Sequence, residues 1–538
     1  MVSDRVWVSN SSDSLQSSNS SISAEKPIAL IQSWIEKWLV ENLEISPDVI
    51  DPNLPLNAYG MESLMILELI QDMEDWLGQS LREVDWTSSN PTITNIAVKV
   101  ADTNLNRSPI KQLKPGVSMV TSTPQSEQSA NLGVSSTLSD ALQQIPQTFN
   151  TVSNQRDRQL LIENRWVCDF ASCNYLGLDL HPQVAQTIPA AVSQWGTHPS
   201  WTRAVASPQL YQELETAIAD LIDAPDVLVF PSLTLLHMGV IPSLTQEDGI
   251  IFVDAAAHRS VYEACRLSKQ NGAIVIQHRH NHLEDLTQKL HRYAHKRTKL
   301  IVIDGVYSMS GTCSNLQAYT QLAKEFDALL YIDDAHGFGL LGEHPTLQMP
   351  YGLKGNGIVK HFGCNYDDDR IIYSAGLSKA FSSYGAFVTC TNGSMKSQFA
   401  NAWTAVFSGP IPTASLASAI AGLEVNSKEG DQRRQRIYHL TRKLVAAARS
   451  IGFQVDNQYY FPIVSVVVGS VNCMQIACQQ LWQHGILITP AIFPAVPVNR
   501  SALRFSITAA NTEAEVEQAI RALQAVWDQL CRCQSLAS

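Results

Sequence analysis

Charge is scarce in this sequence, and positive charge scarcer still. Of 538 residues 16% are charged; Lys plus Arg number 38 against 50 Asp plus Glu, a formal net of −12. The basic footprint of a nucleic-acid binder is therefore absent from the chain as a whole. Cysteine is sparse as well: 10 residues, of which only Cys531 and Cys533 are close together. That spacing makes neither a disulfide scaffold nor a metal framework, and it reads as reduced thiols in a cytoplasmic protein. No apolar run is long enough to span a bilayer. Residues 1–24 lack the basic start and apolar core of a signal peptide and read as a disordered leader. Hydrophobic residues are not lacking: at 45% they support a sizeable core and exclude wholesale disorder. The length is a prior for roughly three units or more.

The negative charge is concentrated. Between Glu25 and Asp102 there are 14 acidic and 4 basic residues, so this short stretch carries −10 of the −12. It opens with Ile31, Trp34, Ile35, Trp38 and Leu39 at helical spacing, and Ile66, Leu69, Ile70, Met73 and Leu77 repeat the pattern. A short helix through Ile96 and Val100 completes a small acidic all-α bundle over 25–103. Residues 104–138, rich in Ser, Thr, Gln and Pro, read as a flexible linker with an r.m.s. span of roughly 30–36 Å.

From residue 139 to 538 strands alternate with helices, the pattern of an α/β domain with a largely parallel sheet. The expected strands are 227–230, 250–254, 273–277, 300–304, 329–333, 371–374 and 386–389, with a smaller C-terminal lobe from about 415. Polar clusters end four of them. Asp254 is followed by His258; Asp304 leads to Ser308; Asp333 leads to His336; Ser374 leads through Ser378 to Lys379. Ligands of open α/β sheets bind beyond such carboxyl ends. Taken singly, each is an ordinary strand-end turn former, core histidine or surface lysine.

Two family resemblances rest on these residues. Tyr59-Gly60-Met61-Glu62-Ser63-Leu64, with Asn90-Pro91-Thr92-Ile93 behind it, makes 25–103 resemble an acyl carrier protein. That resemblance makes Ser63 the phosphopantetheine attachment site. A serine there also suits an ordinary N-cap, and Glu62 stands where the family usually has Asp.

The ordered clusters, together with Asn174-Tyr175-Leu176-Gly177-Leu178, His181-Pro182 and Ala502-Leu503-Arg504-Phe505, resemble the α-oxoamine synthases. These include 8-amino-7-oxononanoate synthase, 5-aminolevulinate synthase and serine palmitoyltransferase. The resemblance implies a fold-type I, aspartate aminotransferase-like domain that binds pyridoxal 5'-phosphate and forms a homodimer. It makes Lys379 the Schiff-base lysine, Asp333 the partner of the ring nitrogen, and His336 the partner of the ring hydroxyl. His258 becomes the stacking histidine, Ser308 a neighbour of the ring hydroxyl or phosphate, and Arg504 the grip on the amino-acid carboxylate. Several positions depart from the family pattern. Leu233 follows Ser232 where Gly is usual, Gly376 replaces the phosphate-binding Thr, Ala257 replaces Asn, and Cys173 replaces the Asn before Asn174 that helps hold substrate. Ser232, Leu233, Thr234, Ser374 or Ser378 are left to hold the phosphate.

The implied reaction is decarboxylative condensation of an α-amino acid with an acyl group carried on Ser63, giving an α-aminoketone in secondary metabolism. The implied partners are a phosphopantetheinyl transferase and an acyl-loading enzyme, with neither nucleic acid nor a membrane. Open alternatives are a biotin-type 7-oxononanoate synthesis, an aminotransferase on the same fold, and a carrier scaffold without activity. The run His278-Arg279-His280-Asn281-His282 is read as a family strand end, so no metal is expected. The basic stretch 291–299 is read as a solvated helix face, with a docking patch for the carrier as the alternative.

Overall fold

The computed structural model describes residues 25–43, 47, 50–59, 61, 63–77, 81, 91–105, 145–245, 247–492, 495–497 and 499–537. The leader, Glu62 and nearly all of the expected linker lie outside the described residues. The described part forms two compact units: residues up to 55 with 91–105, and residues 56–81 with 145–537.

In the first unit, α1 (Glu25–Leu43) packs against α3 (Ile93–Leu105). Between them in sequence lies α2 (Ser63–Leu77). The helical stripe becomes the buried face of α1 through Ile31, Ile35, Trp38 and Leu39, and α3 buries Ile93, Ile96, Ala97 and Val100. Thr94 ties the start of α3 to the preceding loop: its N–H donates to the Pro52 carbonyl (3.0 Å) and its hydroxyl to Asn53 (3.1 Å). In the second unit, α2 begins at Ser63 and buries Ile66, Leu69 and Met73.

The large α/β body starts with an antiparallel meander of β1 (Val152–Arg156), β2 (Gln159–Ile162) and β3 (Arg165–Asp169). Seven strands follow: β4 (Val227–Phe230), β5 (Ile250–Asp254), β6 (Ile274–His278), β7 (Lys299–Asp304), β8 (Leu329–Asp333), β9 (Ile371–Gly376) and β10 (Ala386–Thr389). They form one sheet in the order β4-β10-β9-β8-β7-β5-β6. Only β10 runs antiparallel to its neighbours. Every residue of β4, β5, β7, β9 and β10 is buried. A parallel sheet covered on both faces needs such unbroken apolar strands, which is why they stand out in the sequence. Register aligns Asp304 with Asp333, and Asp333 with Ser374, at one edge of the sheet.

Two helices reach that edge: α4 (Leu233–Leu244), which follows β4, and α5 (Arg259–Gln270), which follows β5. Beyond β10, the 39-residue α6 (Thr413–Ile451) leads to the small lobe. There β11 (Gln454–Val455), β12 (Ile463–Gly469), β14 (Thr489–Ala491) and β15 (Ser501–Ser506) pair antiparallel in the order β11-β12-β15-β14. The lobe is not built from the C-terminal stretch alone. β13 (Ile486–Leu487) pairs in parallel with β3, and Ile145, Cys168 and Phe170 enter the same core as Leu503 and Phe505. Long-range pairing of this kind leaves no local trace in the sequence. Among the described residues no helix is long and apolar enough to cross a membrane.

Candidate active site

Beyond the carboxyl ends of β5, β7, β8 and β9 lies a cavity of about 220 Å³. Its lining includes Ser232, Leu233, Thr234, His258, Asp304, Ser308, Asp333, His336, Ser378 and Lys379. Five separate stretches of chain thus converge.

Lys379 sits on a tight turn after β9, closed by the Ser382 N–H on the Lys379 carbonyl (3.0 Å) and the Ser383 N–H on Leu377 (3.0 Å). Buried Leu377, Ala380 and Phe381 anchor this turn. The lysine is half-buried, and desolvation holds its ammonium below the usual lysine value against the opposing pull of Asp333. Asp333, 3% exposed, accepts a hydrogen bond from the Ala335 N–H (3.0 Å). Beside it Asp304 is pushed well above the carboxylate range, by burial first and by Asp333 second. Asp304 is thereby held toward its protonated form.

His258 caps α5, its Nδ1 lying 2.7 Å from the Ser260 hydroxyl. His336 Nδ1 lies 2.7 Å from the Tyr175 hydroxyl. Burial pushes both imidazoles down, His336 well below the usual value, so they are neutral near pH 7. Ser232 caps α4, accepting from the Leu235 N–H (3.3 Å). This places the N-terminal N–H groups of a 12-residue helix beside the cavity, a favourable seat for an anion.

Other expected residues take different places. Ser374 donates its hydroxyl to the Ile332 carbonyl (2.9 Å) inside the sheet, which removes it as a phosphate ligand. Ser378 Oγ lies 3.7 Å from where a Cβ on Gly376 would stand, so a hydroxyl is present at that corner despite the glycine. Arg504 lies behind Ser308, its Nε donating to the Ser308 carbonyl (2.6 Å) and Nη1 to Ser506 (3.2 Å). Its Nη2 is 3.6 Å from Cys173 Sγ. Burial raises the Cys173 thiol, but Arg504 and Lys379 outweigh it and the thiol ends below its usual value. Asn174 contributes its carbonyl to the turn that Gly177 closes (2.8 Å).

The histidine run is spent locally. His280 bridges Asp254 (2.9 Å) and Thr312 (3.0 Å), His278 faces the Arg279 carbonyl (3.1 Å), and His282 caps the next helix. The basic stretch 291–299 feeds the amino end of β7, about 20 Å of strand away from the cavity.

Two residues at the site were not expected from the sequence. His237 is a lone histidine in the apolar helix α4, and Asp334 is the second Asp of a pair. Asp334 accepts from the Ile358 N–H and the Tyr373 hydroxyl (both 2.9 Å). Burial raises its pKa to about 7. A folded-state value above the unfolded one stabilises the fold fully at acid pH, and that contribution is lost as pH rises through about 7. Thermal unfolding followed from pH 5 to 8.5 is therefore expected to show a falling midpoint. Asp334→Asn should flatten the curve, and an unchanged slope would contradict this assignment.

The comparisons with known proteins agree with this geometry. Residues 166–523 match the model of aminotransferase class I and II. The chain belongs to the class I and II aminotransferase family. Residues 33–97, which contain Ser63, match the model of the phosphopantetheine attachment site. The chain is similar to 8-amino-7-oxononanoate synthase of Trichlorobacter lovleyi, 32% identical over 69% of this chain and 92% of that protein. It is also similar to serine palmitoyltransferase of Sphingobacterium spiritivorum, 28% identical over 71% of this chain and 92% of that one. A solved serine palmitoyltransferase with pyridoxal phosphate shares the fold: TM-score 0.67, 23% identity, 73% of this chain and 98% of that chain. This family member is a pyridoxal-phosphate-dependent acyltransferase of the α-oxoamine synthase group with a fused phosphopantetheine domain.

The donor set fits that cofactor. A half-buried lysine and a buried carboxylate share one cavity, and a helix N-terminus with three neighbouring hydroxyls offers an anion seat. Lys379 would hold the cofactor covalently, Asp333 its ring nitrogen, His258 and His336 its ring, and the start of α4 its phosphate.

Proposed function

We propose that this chain condenses an α-amino acid with an acyl group held as a thioester on the phosphopantetheine of Ser63, releasing CO₂ and an α-aminoketone. One observation carries the reading: a Lys379–Asp333–His258 cavity stands in the same chain as a phosphopantetheine-attachment domain whose Ser63 opens a helix. When bound, pyridoxal phosphate supplies an electron sink for the amino acid's α-carbon. The residues do the rest. Lys379 Nζ, kept nucleophilic by desolvation, takes up the α-proton and returns one after CO₂ has left. Arg504, fixed by Ser308 and Ser506, orients the amino-acid carboxylate through its Nη edge. Neutral His258 and His336 line the cavity without adding charge beside the lysine.

The carrier arm delivers the acyl thioester to this carbanion-forming site. The linker keeps the arm at an effective concentration around millimolar. A phosphopantetheinyl transferase installs the arm and a separate enzyme loads it, in the cytoplasm and within secondary metabolism. A homodimer is part of the proposal. Its support is the exposure of Val205 (78%), Trp403 (55%) and Phe407 (82%) on two neighbouring segments, which the Thr202 hydroxyl joins by donating to the Val406 carbonyl (2.8 Å).

The test is incubation of the protein with a phosphopantetheinyl transferase, acyl-CoA and a pool of amino acids, followed by mass spectrometry. The expected result is an acylated arm on Ser63 and an α-aminoketone. Ser63→Ala should lose the arm, and product formed from the carrier-bound acyl group should vanish. A wild-type protein that takes no arm would remove the carrier half of the reading. Amino transfer without CO₂ release would turn the catalytic half into an aminotransferase.

A further inference from the structure

His237 lies on α4, is 0% exposed and packs edge-on against Tyr331 (5.7 Å). A core histidine that merely fills space normally spends both nitrogens on hydrogen bonds, because a buried unpaired nitrogen loses its hydration with nothing in exchange. This one spends only Nδ1, 3.1 Å from the Ser260 hydroxyl. Its Nε2 has no hydrogen-bond partner and points at Asp333 Oδ2, 3.6 Å away. The same Ser260 hydroxyl lies 2.7 Å from His258 Nδ1. Two hydrogen bonds thus join His258, Ser260 and His237 across α5 and α4, and the 3.6 Å approach of Nε2 to Asp333 extends the line to β8.

We propose that His237 is a positioning residue for Asp333, coupled through the Ser260 hydroxyl to His258, so that one hydrogen-bond chain sets both the carboxylate and the cavity-lining imidazole. The argument is a count of protons. Ser260 has a single hydroxyl proton and two imidazole neighbours. If the hydroxyl donates to His258, His237 must donate from Nδ1, and its bare Nε2 faces Asp333. If it donates to His237, the Nε2–H points at Asp333, and His258 must carry its own proton on Nδ1. In that state His258 can no longer accept the Ser260 N–H (3.3 Å) that caps α5. A single hydroxyl rotation with two tautomer shifts, and no net charge change, therefore decides whether Asp333 has a second donor beside Ala335. The other titratable groups at this end, Asp304 and Lys379, are shared by both states.

The inference rests on the cavity being the cofactor site, and the test keeps the two apart. The proteins are wild type, His237→Leu, His237→Gln, Ser260→Ala and the Leu/Ala double variant. Three quantities are measured: the dissociation constant for pyridoxal phosphate, the ¹⁵N resonance of cofactor labelled at the ring nitrogen, and borohydride capture on Lys379. His237→Leu is expected to weaken cofactor binding roughly tenfold and to move the ring-nitrogen resonance toward the unprotonated position. Ser260→Ala, which keeps both imidazoles and the local volume, should move it in the same direction by less. His237→Gln, with an amide donor, should recover part of the shift. In a true chain the double variant is no worse than His237→Leu alone. A ring-nitrogen resonance at the wild-type position in both single variants, or full additivity in the double, overturns the inference. Wild-type protein that is not captured at Lys379 would instead overturn the proposed function.

Discussion

Lys379→Ala is expected to abolish covalent capture of pyridoxal phosphate by borohydride and to lower product formation by roughly 10³-fold or more. The size of the effect follows from the environment. The lysine is half-buried, and desolvation lowers its proton affinity, so a larger fraction of amine is free to react near neutral pH than on a surface lysine. Its position is set by backbone hydrogen bonds from Ser382 and Ser383 and by buried neighbours on either side, none of which involve the ammonium. Truncation should therefore leave the fold intact, so thermal unfolding of the variant should match wild type. Arg504 offers a contrast. Its guanidinium holds Ser308 and Ser506 in place, so Arg504→Ala would combine lost substrate binding with local loosening. Peptide mapping after borohydride reduction distinguishes the cases: label moved to another lysine would show that Lys379 is not the reactive amine.

How much of this site is legible in the sequence depends on how local its cause is. The strands β4, β5, β8 and β10 fall where the apolar runs place them, and β6 is displaced by one residue. Fully buried strands must be apolar throughout, and polar residues at or just beyond the carboxyl ends of these runs line the cavity. Lys379, Asp333, His336 and His258 are legible for that reason. The meander β1–β3 is not: every residue of β1 is exposed, so no burial pattern marks it. Nor is the recruitment of Ile145, Cys168 and Phe170 into the small lobe, which depends on partners more than 300 residues away. His237 is hidden by the opposite effect. It sits among Leu235, Leu236 and Met238 in an apolar helix, where a lone histidine looks like core, and only the spatial approach of Asp333 gives it a role. Ser374 fails in the same way: its position invites a phosphate role, and its hydroxyl is already committed to Ile332.

Asp333→Asn should cost roughly 10²–10³-fold in product formation, the scale seen when one preorganised electrostatic contact is removed. The substitution keeps shape and leaves an oxygen for the Ala335 N–H, so folding is not at issue. What changes is charge. Asp333 is the carboxylate that would keep the cofactor's ring nitrogen protonated, and an amide cannot do that. A second consequence follows from its neighbour in register. Asp304 is driven up by burial first and by the Asp333 charge second. With that charge gone, Asp304 ionises more readily. Raising the pH of the variant would then restore negative charge at a carboxylate that lines the cavity one strand away. Its activity is expected to stay low at every pH, while a new ionisation displaced to lower pH should be visible in the cofactor's absorbance titration. Asp304→Asn combined with Asp333→Asn should remove that titration and leave activity no lower than in Asp333→Asn alone. Recovery of activity at high pH in the single variant would mean that Asp304 can substitute for Asp333, and that the two strand ends share the role assigned here to one.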